Sequence, residues 1–265
     1  MAAREKLARF HLKNSEIEEA RSVVSGMLES RPNHFETRLL SCEIRIQEKK
    51  YDSALSTLDE LEKEEPSEPR IKYFKGLAYL GMDNKPQAMS LLSEVLEINP
   101  EHIKSRVLLA ELHYGRGYFS LAEQEASNVL EVDPENYQAR LIKANAMLAS
   151  GRVKEAEKEY GNLIRLNPDK PAGYYRLALI KSNDRQYGPS DELLRKAFRI
   201  NPRLMDVFSL RIRNRIAEKD FDKAHELCSR QLDIEADNKH SRAIVHHIRG
   251  GIYLSRNKTA EAEKE

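Results

Sequence analysis

LEINPEH, residues 96–102, decides the fold, because the chain keeps repeating it: LEVDPEN stands at 130–136, IRLNPDK at 164–170 and FRINPRL at 198–204. Each phrase is an apolar helical ending, then a polar residue, then proline. Proline lacks a backbone N–H and pushes the residue before it away from helical angles, so the phrase ends a helix. Its prolines belong to a ladder: Pro32, Pro66, Pro100, Pro134, Pro168 and Pro202 are each 34 residues apart. A fixed period of this length marks a chain built from stacked supersecondary units.

Counted from Met1 in blocks of 34, each ladder proline is the thirty-second place, and other columns align with it. The twentieth place reads Ala20, Ala54, Ala88, Ala122, Ala156, Ser190 and Ala224. The eighth reads Ala8, Cys42, Gly76, Ala110, Ala144 and Ala178, then breaks at Ile212. The seventeenth is mostly bulky (Ile17, Tyr51, Phe119, Val153, Tyr187, Phe221), and the twenty-fourth is Val24, Leu58, Leu92, Ala126, Tyr160, Leu194 and Cys228. Two helices fit each block, at places 2–14 and 18–30, with breakers between them in DNKP (83–86), GRG (115–117) and SGR (150–152). Pro86 and Pro189 fall in the first turn of the second helix, where a missing N–H costs nothing. Small residues at places 8 and 20 let the two backbones approach closely.

Composition agrees. The chain of 265 residues is 33% charged and 40% hydrophobic, with only 11 glycines, a balance that favours helices. Lys and Arg number 44 against 43 Asp and Glu, which gives no global reason to expect nucleic acid or an acidic membrane surface as partner. No apolar run is long enough to span a membrane, and MAAREKLARF lacks the apolar core of a secretion signal. Cys42 and Cys228 fall on apolar faces and are expected as buried free thiols.

Small, aromatic, small, proline at a period of 34 resembles the tetratricopeptide repeat (TPR) family. The best single match is residues 69–102, with Gly76, Tyr79, Ala88, Leu92 and Pro100. The resemblance implies an all-α, right-handed superhelical solenoid of antiparallel helix-turn-helix hairpins. The expected repeats are 1–34, 35–68, 69–102, 103–136, 137–170, 171–204 and 205–238, plus a partial eighth at 243–265, within a single array over 1–265. Block seven is degenerate, with Ile212, Gln231 and Ala236. The eighth aligns Gly250, Tyr253 and Ala262 only after four extra residues, about one helical turn. The end at AEKE, inside a second helix, leads to the expectation of a piece of a longer array, since solenoids need polar caps. The fourth place is basic in five blocks (Arg4, Arg38, Lys72, Arg106, Arg140), with rings only at Tyr174 and Phe208. These cations are expected to lay their stems on apolar surface and reach water or a neighbouring carboxylate.

In that family the first helices line a concave face, at roughly places 2, 5, 9 and 13. Here place 2 gives Glu36, Arg70, Lys104 and Gln138; place 5 gives Leu39, Tyr73, Val107, Leu141 and Tyr175; place 9 gives Glu43, Leu77, Glu111, Asn145 and Leu179; place 13 includes Gly81 and Gly115. Such an apolar and aromatic channel suits an extended peptide or amphipathic helix. The expected partner contacts are Tyr73, Leu77, Val107, Glu111, Leu141, Asn145, Tyr175 and Leu179, with Arg70 and Lys104 setting electrostatic register. Place-5 residues also have a plain reading as packing between neighbouring first helices. Capture of a C-terminal carboxylate by successive Lys, Asn and Arg is not expected, because Asn145 stands alone.

No nucleophile, base and acid combine, so no enzyme is expected. His240, His246 and His247 match no ligand spacing, so neither metal nor cofactor is expected. GRG is not a phosphate loop. The sequence therefore reads as a protein-interaction scaffold. Two alternatives stay open: a structural spacer or self-associating module using the repeat ends, and an RNA-binding helical array. Overall character resembles long bacterial arrays, some of which serve envelope or exopolysaccharide assembly. Localisation is undetermined, cytoplasmic by default, with a periplasmic or envelope place open if an address segment has been removed.

Overall fold

The computed structural model describes residues 2–265, and among these every regular element is an α-helix. The hairpins are α1 (Ala2–Lys13) with α2 (Ile17–Ser30), α3 (Phe35–Gln47) with α4 (Tyr51–Glu64), α5 (Pro69–Gly81) with α6 (Lys85–Ile98), and α7 (Ile103–Gly115) with α8 (Phe119–Val132). They continue as α9 (Tyr137–Ala149) with α10 (Val153–Leu166), α11 (Pro171–Asn183) with α12 (Tyr187–Ile200), α13 (Met205–Ala217) with α14 (Phe221–Ile234), and α15 (Lys239–Ser255) with α16 (Thr259–Glu263). The chain forms two compact units, the first ending at Ile142 and the second beginning at Lys143. In the first, α1 to α8 pack in chain order, and first helices also meet, α1 on α3 and α3 on α5. In the second, α10 to α16 pack in chain order and α11 meets α13.

The proline corners follow their chemistry. The residues before the six ladder prolines, Arg31, Glu65, Asn99, Asp133, Asn167 and Asn201, have φ between −146° and −128° and ψ between 67° and 99°. Each is pushed out of the helical region by the ring that follows. At the seventh corner Ala236 replaces proline, and Glu235 stays near the helix at φ −94°, ψ 22°.

The helices begin one place earlier than the breakers alone suggest, near places 1 and 17, because the proline corner between hairpins is shorter, residues 65–68 sufficing between α4 and α5. One residue per hairpin, at place 15, has positive φ: Ser15, Lys49, Asp83, Gly117, Gly151, Arg185 and Lys219. The next amide then donates back to a carbonyl in the last turn of the first helix, as Lys50 N to Arg45 O (2.8 Å) and Gln186 N to Lys181 O (2.8 Å). This is a Schellman closure. Only Gly117 and Gly151 meet the left-handed angle without a Cβ penalty. After the 17-residue α15 the corresponding residue is Asn257, four positions later than the 34-residue period would place it.

Both small columns are buried throughout, from Ala8 to Ala178 and from Ala20 to Ala224, and so is the whole column at place 24. At the α5–α6 contact, a Cβ on Gly76 would lie 3.3 Å from Leu92 Cγ and 3.7 Å from the Ala88 carbonyl oxygen. Gly81 has another use: a Cβ there would collide with the Tyr51 ring, so its absence seats the first residue of α4 against α5. Where the first column breaks, Ile212 is buried with Ala224 and Cys228 in one cluster. Where the second carries Ser190, the hydroxyl donates to the Ala178 carbonyl (2.8 Å) and accepts from Asn214 Nδ2 (2.9 Å). Asn214 Oδ1 in turn accepts from Ser182 Oγ (2.5 Å), so a buried polar chain joins α11, α12 and α13.

Three of the fourth-place cations find carboxylates. Arg38 pairs with Glu60 (2.7 Å) and Glu64, Lys72 with Glu94 (2.6 Å) and Glu62, and Arg106 with Glu125 (2.8 Å). Some also tie the preceding corner. Arg106 donates to the carbonyl of Pro100 (2.8 Å), Arg140 to that of Pro134 (2.6 Å), and the Tyr174 hydroxyl to that of Pro168 (3.3 Å). Cys42 and Cys228 are free and buried, and burial pushes their thiols up to about 11 and about 12.

Ala88→Leu is expected to destabilise the chain by about 1–3 kcal/mol through overpacking of the α5–α6 contact. A urea midpoint unchanged from the parent, against an exposed control such as Ser93→Leu, would contradict the close-approach account.

Candidate partner-binding site

The first unit contains a cleft of about 410 Å³ whose lining includes Arg9 of α1, Leu39 and Glu43 of α3, Arg70, Tyr73 and Leu77 of α5, His102, and Lys104 of α7. It exists because first helices repeat the same stripe in register, so places 2, 5 and 9 of neighbours converge. Leu39 closes the floor and is buried in the cluster formed with Cys42, Leu58 and Phe74, while Tyr73 and Leu77 are half-buried against it. The Tyr73 ring stands edge-on to His102, with centroids 5.0 Å apart, and to Phe74 at 5.5 Å. His102 Nδ1 accepts the Ser105 amide (3.2 Å) as the cap of α7, which leaves the proton of the neutral ring on Nε2. Burial, then the nearby Lys104 charge, holds this imidazole below its usual value.

The charges divide into those already spent and those not. Arg70 is spent. Its guanidinium donates to both oxygens of Glu36 (2.9 and 2.7 Å) and to both of Glu68 (2.8 and 2.9 Å), and these bonds, Glu68 first, hold its pKa above the usual value. Glu36 also receives Arg9 at 3.1 Å. Arg70 therefore braces the cleft wall and offers little to an incoming group. Glu43 and Lys104 are unspent: among the described residues neither has an ion-pair or hydrogen-bond partner. Burial holds the Glu43 carboxyl above its ordinary value, offset in part by the charges of Arg9 and Lys104. Burial, with a contribution from Glu43, pushes the Tyr73 phenol up to about 12.

Of the ten residues expected from sequence, this cleft gathers Arg70, Tyr73, Leu77 and Lys104. Val107 is half-buried on α7, and Leu141 is half-buried on α9. Exposed Glu111 accepts a hydrogen bond from Gln138 Nε2 (2.6 Å). Asn145, Tyr175 and Leu179 belong to the second unit. There Asn145 Oδ1 accepts from the buried Tyr160 hydroxyl (2.7 Å), while Tyr175 and Leu179 pack against the core of Tyr174, Leu194 and Val207. Glu43 lies on the predicted stripe, but spacing alone does not mark it as unpaired. His102 lies in the proline corner, outside any stripe.

Among the described residues, no group of His, Cys, Asp and Glu is arranged to hold a metal ion, and His246 instead meets Glu265 at 2.8 Å. No helix among them is long and apolar enough to cross a membrane.

Tetratricopeptide repeat profiles match residues 11–78, 69–102 and 107–171, together more than half of the chain. The chain belongs to the tetratricopeptide repeat family. Solved structures with the same fold include a tetratricopeptide repeat protein from Parabacteroides merdae, 16% identical, with a TM-score of 0.66 over 96% of this chain and 98% of that one. The apo form of RapI is 13% identical and superposes with a TM-score of 0.79 over 95% of this chain and 81% of its own. YrrB, described as a TPR protein with an unusual peptide-binding site, is 16% identical, with a TM-score of 0.57 over 70% of this chain and 96% of its own. No curated protein matches the chain in sequence. Tetratricopeptide repeats are in general non-enzymatic protein-interaction scaffolds, and membership of the family supports a protein-interaction role of that general kind.

The raised Glu43 carboxyl has a stability consequence. The folded chain holds that proton more tightly than the unfolded chain, so the site costs stability as pH rises from below the ordinary carboxylate range through the raised folded value. Glu43→Gln is expected to raise the urea midpoint at neutral pH, with the gain vanishing in acid. A gain independent of pH, or a loss at neutral pH, would contradict the assignment of Glu43 as a half-buried, unpaired charge.

Proposed function

We propose that the chain captures an extended or helical segment of a partner protein in the cleft between α3, α5 and α7. The observation that carries this reading is the combination at one place of an unpaired, half-buried carboxylate and a half-buried aromatic. Tyr73 and Leu77 offer an apolar seat, Glu43 accepts a cationic group, and Lys104 meets an acidic or carbonyl group at the rim. A buried unpaired charge is costly to the free protein, so a ligand cation reaching Glu43 gains more than one meeting a solvated carboxylate. Arg70, locked between Glu36 and Glu68, keeps α3 and α5 in register rather than touching the ligand. Val107, Glu111 and Leu141 extend the seat along the first unit. Asn145, Tyr175 and Leu179 offer a comparable stripe in the second. The peptide-binding site described for YrrB supports a role of this kind for a cleft on the same fold.

Selection of random peptides displayed on phage tests this directly. Binders are expected to carry an apolar residue beside Lys or Arg, and to lose affinity by about tenfold or more for Tyr73→Glu, a loss of roughly 1.4 kcal/mol. The Tyr73→Glu protein must first be shown to melt as cooperatively as the parent. Selected peptides that bind parent and variant equally would remove the cleft as the recognition site.

A further inference from the structure

A second surface of different character lies in the second unit, on the second helices. A cleft of about 630 Å³ runs between α12 and α14 over α13, lined by Arg195, Phe198, Arg199, Phe208, Arg211, Leu227, Arg230, Gln231 and Ile234. Its lining contains four arginines and no acid. A smaller adjoining cleft of about 220 Å³ adds Arg215, Lys223, Asp191 and Glu226.

The charge is not cancelled locally. Asp191, almost fully buried, meets Arg195 (2.9 Å) and Arg215 (2.8 Å), with Arg211 at 3.6 Å, too long for a hydrogen bond. Arg215 also pairs with Glu218, Arg230 with Glu226, and Lys223 with Asp220. Six cations thus face four carboxylates. Arg199 is exposed and has no ion-pair partner among the described residues. The Arg211 Nε–H is buried and donates to nothing, and burial lowers the pKa of this guanidinium. In a chain with a net charge of only +1, that is a local excess.

The repeat itself supplies an internal comparison. Arg211 occupies place 7 of its block, and Lys75 occupies the same place in the third. Lys75 is neutralised by two acids from the preceding second helix, Asp59 at 2.5 Å and Glu62. The places held by those acids carry Arg195 and Phe198 in front of Arg211. Where one repeat provides its own carboxylates, the other provides a cation and an apolar wall.

We propose that this cleft binds an acidic segment of a partner protein, its carboxylates taken by Arg199 and Arg211 and its apolar side chains lying against Leu227 and Ile234. Arginine forks match carboxylates bidentately, and a second carboxylate beside Arg211 adds to its single, long contact with Asp191. The aromatics argue against a single-stranded nucleic acid, whose bases need an open ring face. Phe208 is buried, and the Phe198 ring is covered by the Arg211 guanidinium at 5.1 Å from its centroid.

Fluorescence anisotropy with the whole chain tests the proposal, using a labelled short peptide alternating glutamate with phenylalanine. Its controls are the same peptide with lysine for glutamate and a single-stranded DNA oligonucleotide. The acidic peptide is expected to bind and the lysine peptide not. Arg199→Glu, an exposed change that leaves the core intact, and Arg211→Gln are each expected to weaken binding by about tenfold or more. Tyr73→Glu, in the other cleft, is expected to leave it unchanged, so this result and the outcome of the peptide selection stand apart. Failure of the acidic peptide to bind, indifference to Arg199→Glu, loss on Tyr73→Glu, or tighter binding of the oligonucleotide through the same arginines would each overturn the proposal.

Discussion

Two helices can approach closely only where no large side chain stands between them, and here that condition recurs every 34 residues. Ala, Gly, Cys or Ser at places 8 and 20 sets the spacing of the hairpin helices, and the buried column at place 24 fills what remains. The other features depend on that contact. A left-handed residue at place 15 turns the chain back onto itself, and a proline at place 32 turns it onward to the next hairpin. With the spacing repeated, the first helices stand side by side with places 2, 5 and 9 in register, and a cleft such as that around Tyr73 becomes possible.

Much of this was legible because it is periodic. Small columns, ladder prolines and the bulky seventeenth place are chemical requirements repeated often enough to rise above the surrounding sequence. What stayed hidden is what breaks the period or depends on partners. Ser15, Lys49, Arg185 and Lys219 adopt left-handed angles that their residue types do not advertise, since the closed turn imposes them. Ser190 looks like a simple variant of alanine, yet it anchors a buried chain to Asn214 and Ser182 that no spacing foretells. Arg70 sits where a ligand-reading cation is expected, but Glu68, from the corner just before α5, and Glu36 from α3 consume it. Stripe position marks which side chains face a groove, not which of them remain unpaired.

That distinction governs the functional reading. The surface is crowded with charges, and most are matched at short range by carboxylates from adjacent helices, as Arg38, Lys72 and Arg106 are. These partly buried pairs leave few charges available to a partner. Glu43 and Lys104 in one unit and Arg199 in the other are exceptions, Arg211 meets Asp191 only at 3.6 Å, and all of them lie beside half-buried apolar side chains. We propose recognition there because Glu43 and Arg211 carry a desolvation cost that a partner could relieve, while Lys104 and Arg199 are exposed to an incoming charge.

The most direct test of the cleft as a recognition site replaces Lys104, exposed at its rim, with a photo-cross-linking amino acid and compares adducts formed in cells with those from the same residue at Leu121, exposed on α8. The account predicts a discrete protein adduct at position 104 that disappears when Tyr73→Glu is added, and none at 121. An adduct at 121 with none at 104, or one at 104 that survives Tyr73→Glu, would contradict it.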